Sequence, residues 1–327
     1  EFVGLAYFAE IPAVVVDVQR MGPSTGLPTR TSQGDVAMLH RLGHGDARHP
    51  VYLPGSPREC FEMTAAALDL AQELQAPVFV ASDLDLGMNL WLSDRFAYPE
   101  KPPSRGKVLS AADLDRLGGF ARYKDVDGDA IPYRTLPGTP HPAAAYFTRG
   151  TGHDDSSGYS EKPEDWRKNL DRLARKLESA QGRLPAPAIE IEPGAHVGLL
   201  AYGSTWPSLR EARDLLRGHG VPASSCRLRA LPFAPEVRAF VERHERVYVV
   251  EQNRDAQVYG LLRATLEGKL ADRLASVRHY NGIPIAADNI VPTILEHERW
   301  IASGPLVPGV GGEAAASEAA TPAVTGD

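Results

Sequence analysis

The chain has 327 residues, 43% hydrophobic and 24% charged, with a net charge of −7 at neutral pH. That length suggests about two domains, and the apolar content excludes a wholly disordered chain. The acidic balance leaves no footprint for nucleic acid, the apolar runs are strand-sized rather than membrane-spanning, and two distant cysteines, Cys60 and Cys226, exclude a disulfide framework and fit a reducing, cytoplasmic setting.

The chain opens without Met or a signal-peptide start, on a helix from Val3 to Ala9 already under way. This reads as a chain cut from a longer one, with its opening strands and helices missing. Ala13–Asp17, AVVVD, is a continuous β-branched run, as in a parallel strand covered on both faces. A polar loop from Val18 to Asp35 follows, rich in glycine, proline and hydroxyl side chains. The run from Ser56 to Leu74 reads as a helix, with Ser56 as cap, Pro57 in the first turn and Glu59 at capping-box spacing. Pro77–Ser82 is the next buried strand. Such alternation argues for a parallel α/β sheet.

From about Trp91 to Gly158 prolines and glycines are dense and no period survives. Asp165–Ala180 restores a helix, with Trp166, Leu170, Leu173 and Leu177 on one face and Arg and Lys on the other. A linker ends near Ala188 and a second α/β unit begins. Its predicted elements are a strand at Val197–Tyr202, a turn at Gly203 and Ser204, a helix Leu209–Arg217 capped by Ser208, and a strand Cys226–Leu231. A helix Pro235–His244, a strand Val247–Glu251 and a helix Ala256–Glu267 follow. After Trp300 the sequence reads as a flexible tail. There is no internal repeat.

Ligands of parallel α/β sheets collect beyond the carboxyl ends of strands, where Arg20 to Thr31 falls. Arg20 offers a planar fork of donors for a carboxylate or phosphate; Ser24, Thr25, Thr29 and Thr31 offer hydroxyls; Gly22 and Gly26 allow close backbone approach. The residues alone leave open an anion-binding loop or an ordinary surface loop. No lysine and hydroxyl follow the glycines as in a Walker loop. His44 and Asp46 could exchange and orient a proton, or sit in a solvated glycine turn. Asp125, Asp127 and Asp129 hint at calcium, but Leu136 stands where an EF-hand needs Glu. His153, Asp154 and Asp155 read as a loop rather than a metal site. Glu251–Asn253 could contact a ligand or a neighbouring subunit, or simply end a strand. No metal site is expected on this chain.

The stretch GLAYFAEIPAVVVDVQRMGPSTGLPTRTSQGD closely resembles the alpha subunits of 2-oxoacid:ferredoxin oxidoreductases of the 2-oxoglutarate type. The VQRMGPSTGLPT run at 18–29 is highly specific, and GHGD at 43–46, PGSPRECFEMT at 54–64, LPGTP at 136–140, GHDDSSGY at 152–159, RKLE at 175–178 and YVVEQN at 248–253 follow in order. The likeness covers roughly residues 1–300. It implies a parallel-sheet α/β fold: the back half of a pyrimidine-type thiamine-diphosphate-binding domain over 1–150, truncated at its N-terminus, a connecting loop and helix over 151–187, a transketolase C-terminal-like domain over 188–302, and a disordered tail over 303–327.

The resemblance further implies oxidative decarboxylation of a 2-oxoacid to acyl-CoA and CO2, with ferredoxin as electron acceptor and coenzyme A as substrate. Overall likeness favours 2-oxoglutarate. Thiamine diphosphate would sit at an interface with a beta subunit that carries Mg2+ and a 4Fe-4S cluster, since two cysteines cannot hold four thiolate bonds. Arg20 matches the arginine that holds the 2-oxoacid carboxylate, and Thr29 a hydroxyl lining the same pocket. Ser24 and Thr25 lie in the motif; His44 and Asp46 match a motif near the site. The family's YPITP-like loop and activating Glu are absent from this chain, and Gly152 replaces a common family Glu. Beside this stand a non-catalytic assembly module and, more weakly, a transketolase-like sugar-phosphate enzyme.

Overall fold

The structure is a computed structural model and describes residues 1–303. The tail expected from 303 onwards lies, beyond that residue, outside the described part. The first half contains α1 (Phe2–Phe8), β1 (Ala13–Met21), β2 (Leu27–Thr31), α2 (Val36–His40), β3 (Val51–Tyr52), α3 (Pro57–Leu74), β4 (Pro77–Asp83), α4 (Leu84–Met88) and α5 (Ala111–Leu117). Then come α6 (Pro163–Ala180), β5 (Ala188–Glu190), β6 (Val197–Tyr202), α7 (Trp206–Gly218), β7 (Ala223–Leu228), β8 (Ala230–Leu231), α8 (Pro235–Arg243), β9 (Arg246–Glu251), α9 (Gln257–Thr265), β10 (Leu274–Arg278) and α10 (Ala287–Ala302).

Two five-stranded sheets result, in the orders β2-β1-β4-β3-β8 and β10-β9-β6-β7-β5. Strands β1, β4 and β3 run parallel, as do β10, β9, β6 and β7, so the parallel α/β class holds. No helix among the described residues is long and apolar enough to cross a membrane.

Several local expectations change. The strand predicted over Ala13–Asp17 continues to Met21, and the polar stretch behind it folds back as β2 in an antiparallel hairpin. β1 is not covered on both faces: Val16 is 53% and Val18 45% exposed. Val14 still packs in the cluster around α3, but that cover does not extend to Val16 and Val18, which lie further along the strand.

The strand predicted over Cys226–Leu231 breaks at Arg229. β7 stays in the second sheet, while β8 crosses to pair with β3 in the first, Val51 opposite Leu231. One apolar cluster therefore spans both sheets, from Val51, Leu53 and Phe79 to Leu200, Leu228, Leu231 and Val249. Each such side chain contributes about 1.5–3 kcal/mol on burial. A charged contact joins the same elements. Glu59 receives Arg227 Nη1 at 2.5 Å and Nη2 at 2.7 Å, and Arg229 Nε at 3.1 Å. Ser56 does cap α3, accepting Glu59 N–H at 3.2 Å, but the Glu59 carboxylate reaches Gly55 N–H at 2.8 Å and these arginines.

α7 begins at Trp206, without a side-chain cap; Ser208 Oγ instead donates to Ile285 O at 2.6 Å. α6 turns a different face inward than its apolar stripe suggests. Asn169, Arg172, Leu173 and Lys176 are buried, while Trp166 is half exposed. The reason is Glu10, held in a left-handed turn after α1 and fully buried. Its carboxylate accepts Arg172 Nη1 at 3.0 Å and Lys176 Nζ at 2.8 Å, and Arg122 Nη2 donates to its carbonyl at 2.9 Å.

Candidate functional site

β1 pairs with β4 in register as far as Gln19 opposite Asp83; Arg20 is the first residue beyond, facing Thr31 across the hairpin. Strand alternation sends neighbouring side chains to opposite faces. Gln19 turns inward, where Nε2 donates to Ser82 O at 3.1 Å and Oε1 accepts Asp35 N–H at 3.0 Å. Arg20 turns outward with Val16 and Val18 and is exposed, its Nη2 donating to Thr25 Oγ1 at 3.4 Å. The turn over 22–26 holds Ser24 in the left-handed region at φ 58°. Ser24, Thr25 and Thr29 are exposed beside Arg20 on the same hairpin. This surface offers a guanidinium, hydroxyls and a glycine-rich backbone to an anion.

The hairpin leans on the loop before α10: a Cβ at Gly282 would lie 2.8 Å from Arg30 Cβ. His44 and Asp46 sit apart from it, on an exposed turn between α2 and β3, with Gly43 and Gly45 both at positive φ. Neither makes a side-chain hydrogen bond to the hairpin among the described residues. On the inner face of β1, burial pushes the Asp17 carboxyl up to about 6, and the nearby Asp35 carboxylate adds to the rise.

Behind the hairpin lies a buried polar junction that the sequence reading missed. Gln33, fully buried, donates through Nε2 to Tyr202 O at 3.0 Å and Asp83 Oδ2 at 3.4 Å. Its Oε1 accepts Thr205 Oγ1 at 3.1 Å and Gln252 N–H at 3.2 Å. Its N–H donates to Gln252 O at 2.8 Å, and its carbonyl accepts Asn253 Nδ2 at 3.0 Å and the Tyr202 hydroxyl at 3.1 Å. Gln252 and Asn253 thus serve this internal junction. Glu251, equally buried, accepts the N–H groups of Val258 at 2.8 Å and Tyr259 at 2.9 Å in the first turn of α9. Burial pushes its carboxyl up against those donors. The triple Glu251–Asn253 was legible as unusual; its use inside the chain was not.

The other acidic and histidine candidates do not form metal centres. Lys107 Nζ occupies the Asp127–Asp129 turn, 2.6 Å from Asp127 Oδ2, 2.7 Å from Asp129 Oδ1 and 3.0 Å from Ile131 O. An ammonium thus takes the place a metal ion would need. His153, Asp154 and Asp155 diverge: the first is buried against Tyr123, the second caps its own turn through Ser156 and Gly158 N–H, the third pairs with Lys168. Among the described residues no three His, Cys, Asp or Glu side chains gather as an ion would require.

The family described as pyruvate flavodoxin/ferredoxin oxidoreductase, thiamine diP-bdg matches residues 1–90, which include the hairpin. The 2-oxoglutarate synthase subunit KorA of Methanothermobacter thermautotrophicus is 30% identical over 269 residues, covering 80% of this chain and 68% of that protein. The chain belongs to the alpha-subunit family of 2-oxoacid:ferredoxin oxidoreductases. The 2-oxoacid:ferredoxin oxidoreductase 2 subunit alpha of Aeropyrum pernix is 34% identical over 317 residues, 93% of this chain. The chain spans about half the length of that relative, 47%. Among solved structures, 2-oxoglutarate:ferredoxin oxidoreductase from Magnetococcus marinus, with 2-oxoglutarate, coenzyme A and succinyl-CoA bound, superposes with a TM-score of 0.77 at 29% identity, covering 90% of this chain and 50% of that one.

Family membership makes one departure interpretable. A side chain at Gly152, where the resemblance expects Glu, has no room here: a Cβ would lie 2.2 Å from the Ser160 carbonyl oxygen. Ser160 N–H donates to Gly152 O at 3.0 Å, which holds the two segments together.

Proposed function

We propose that this chain is part of the catalytic alpha subunit of a thiamine-diphosphate-dependent 2-oxoacid:ferredoxin oxidoreductase, acting on 2-oxoglutarate in the cytoplasm. The observation that carries this is Arg20: an exposed guanidinium on β1, just past the last parallel pair with β4, whose one hydrogen bond among the described residues is a long contact to Thr25. Its donor fork suits a carboxylate, and a bidentate charged contact of that kind is worth about 1.5–3 kcal/mol. Thr25 Oγ1 accepts from the guanidinium at 3.4 Å, and the Thr29 and Ser24 hydroxyls would line the approach from the same hairpin. His44 and Asp46, on a separate turn, are assigned to a candidate active-site loop on the resemblance alone.

Thiamine diphosphate, when bound, supplies the electron sink that lets the carboxyl carbon leave as CO2. The residues of this chain fit the substrate side of such a site and not its metal end, because no carboxylate cluster for Mg2+ forms among the described residues. Nor can Cys60 and the buried Cys226 supply the four thiolates of a 4Fe-4S cluster. On the family resemblance, Mg2+, the cluster and the diphosphate are assigned to a beta subunit, with the cofactor between the chains, coenzyme A as acyl acceptor and ferredoxin as electron acceptor. The units proposed from sequence, 1–150, 151–187 and 188–302, then divide into a cofactor-facing part, a connector and a supporting part.

The test is Arg20→Ala in the assembled alpha–beta complex, read as 2-oxoglutarate-dependent reduction of a viologen dye. A loss of roughly ten- to a hundredfold in kcat/KM with assembly intact is expected, the equivalent of that contact. Unchanged turnover would remove Arg20 from the site and leave the chain as an assembly module.

A further inference from the structure

We infer that Gln33 is a positioning residue for the Arg20 hairpin, and that the second sheet sets the hairpin's geometry through it. The inference rests on the reading of Arg20 given above. Arg20 faces Thr31 across the hairpin, and Gln33 follows two residues later. Every polar group of Gln33 is engaged: two acceptors for its amide nitrogen, two donors for its amide oxygen, and three bonds on its backbone. Its partners Tyr202, Thr205, Gln252 and Asn253 all come from the carboxyl ends of β6 and β9 or the turn just after them. Asp83 alone comes from β4. Gln19 pins the other strand at Ser82 and Asp35. The exposed half of the hairpin thus stands on a base whose position is fixed largely from the second sheet.

The backbone is shaped to admit this amide. Gly203 adopts φ 58°, and a Cβ there would lie 2.8 Å from Gln33 Nε2 and 3.1 Å from Asp83 Oδ2. Thr205, fully buried, donates to Gln33 Oε1 and accepts Gln252 Nε2 at 3.1 Å, so its hydroxyl links the two glutamines. A buried amide is costly to leave unpaired, which gives the junction one geometry rather than several. Carboxylate recognition by a guanidinium depends on placement to within about half an ångström. A shift at the base of the hairpin is therefore read at Arg20.

Gln33→Ala empties the centre of the junction and endangers the fold, so the milder Thr205→Val carries the test. It keeps the side-chain shape and removes only the hydroxyl. In the assembled complex, hydrogen exchange of the β2 amides is expected to quicken roughly five- to tenfold, the equivalent of one lost hydrogen bond. KM for the 2-oxoacid should rise by a similar factor while kcat and the KM for coenzyme A stay within about twofold. Thr205→Ser, which restores the hydroxyl, should match the wild type in both readouts. Wild-type exchange in β2 of Thr205→Val would overturn the inference. Faster exchange with an unchanged 2-oxoacid KM would uphold the role of Gln33 and instead overturn the assignment of Arg20.

Discussion

At Glu10 one buried carboxylate pairs with two cations, Arg172 and Lys176, while Arg122 holds the carbonyl of the same residue. Burial alone would raise its pKa; Lys176 and Arg172 reverse that and hold it down at about 2. Lys176 bears the cost of the crowding: burial, with the repulsion of Arg172 and Arg122, lowers it to about 8 despite its bond to Glu10. Removing one member of such a buried group leaves charge uncompensated, at about 3–5 kcal/mol. Glu10→Gln should lose that much in denaturant unfolding at pH 7. The pH dependence has a definite sign. The folded pKa lies below the free value of 4.5, so the Glu10 contribution is complete above pH 4.5 and fades as pH falls towards 2. The gap between wild type and Glu10→Gln should narrow across that window; a gap independent of pH would show that the carboxylate charge is not what stabilises this turn.

At the scale of elements, β6 is held close to α8 by the lack of a side chain at Gly198. A Cβ there would lie 2.8 Å from the Phe240 ring and 3.1 Å from Val247 Cγ2, with all three positions buried. Gly198→Ala should cost about 1–3 kcal/mol by overpacking, and Phe240→Leu in the same chain should recover part of it. Equal stability of Gly198→Ala and wild type in urea would mean that α8 is free to shift. Strands such as Val197–Tyr202 and Pro77–Asp83 were legible because they are continuous apolar runs bounded by turn residues. The crossing of β8 was not, because a single residue, Arg229, separates it from β7 and only the partner strand β3 distinguishes them. β10 and α10 passed unread; α10 carries Pro292 inside the helix, which breaks the usual pattern. The inward face of α6 was misread because its direction is set by Glu10, over 160 residues away, and not by local periodicity.

At the scale of the molecule, the two sheets share one apolar core and meet at a polar junction that ends in the Arg20 hairpin. The hairpin's polar residue types and its place at the end of a strand were legible, but not that it pairs as a second strand. The junction was not, because its members, Gln33, Asp83, Thr205 and Gln252, are scattered and become meaningful only when the sheets are brought together. The central claim is that Arg20 grips the carboxylate of a 2-oxoacid. The most direct measurement is a crystal structure of the assembled alpha–beta complex with 2-oxoglutarate bound. The account predicts carboxylate oxygens about 2.7–2.9 Å from the Arg20 guanidinium nitrogens. A bound 2-oxoacid whose carboxylate is held by other groups, with Arg20 turned to solvent, would contradict it.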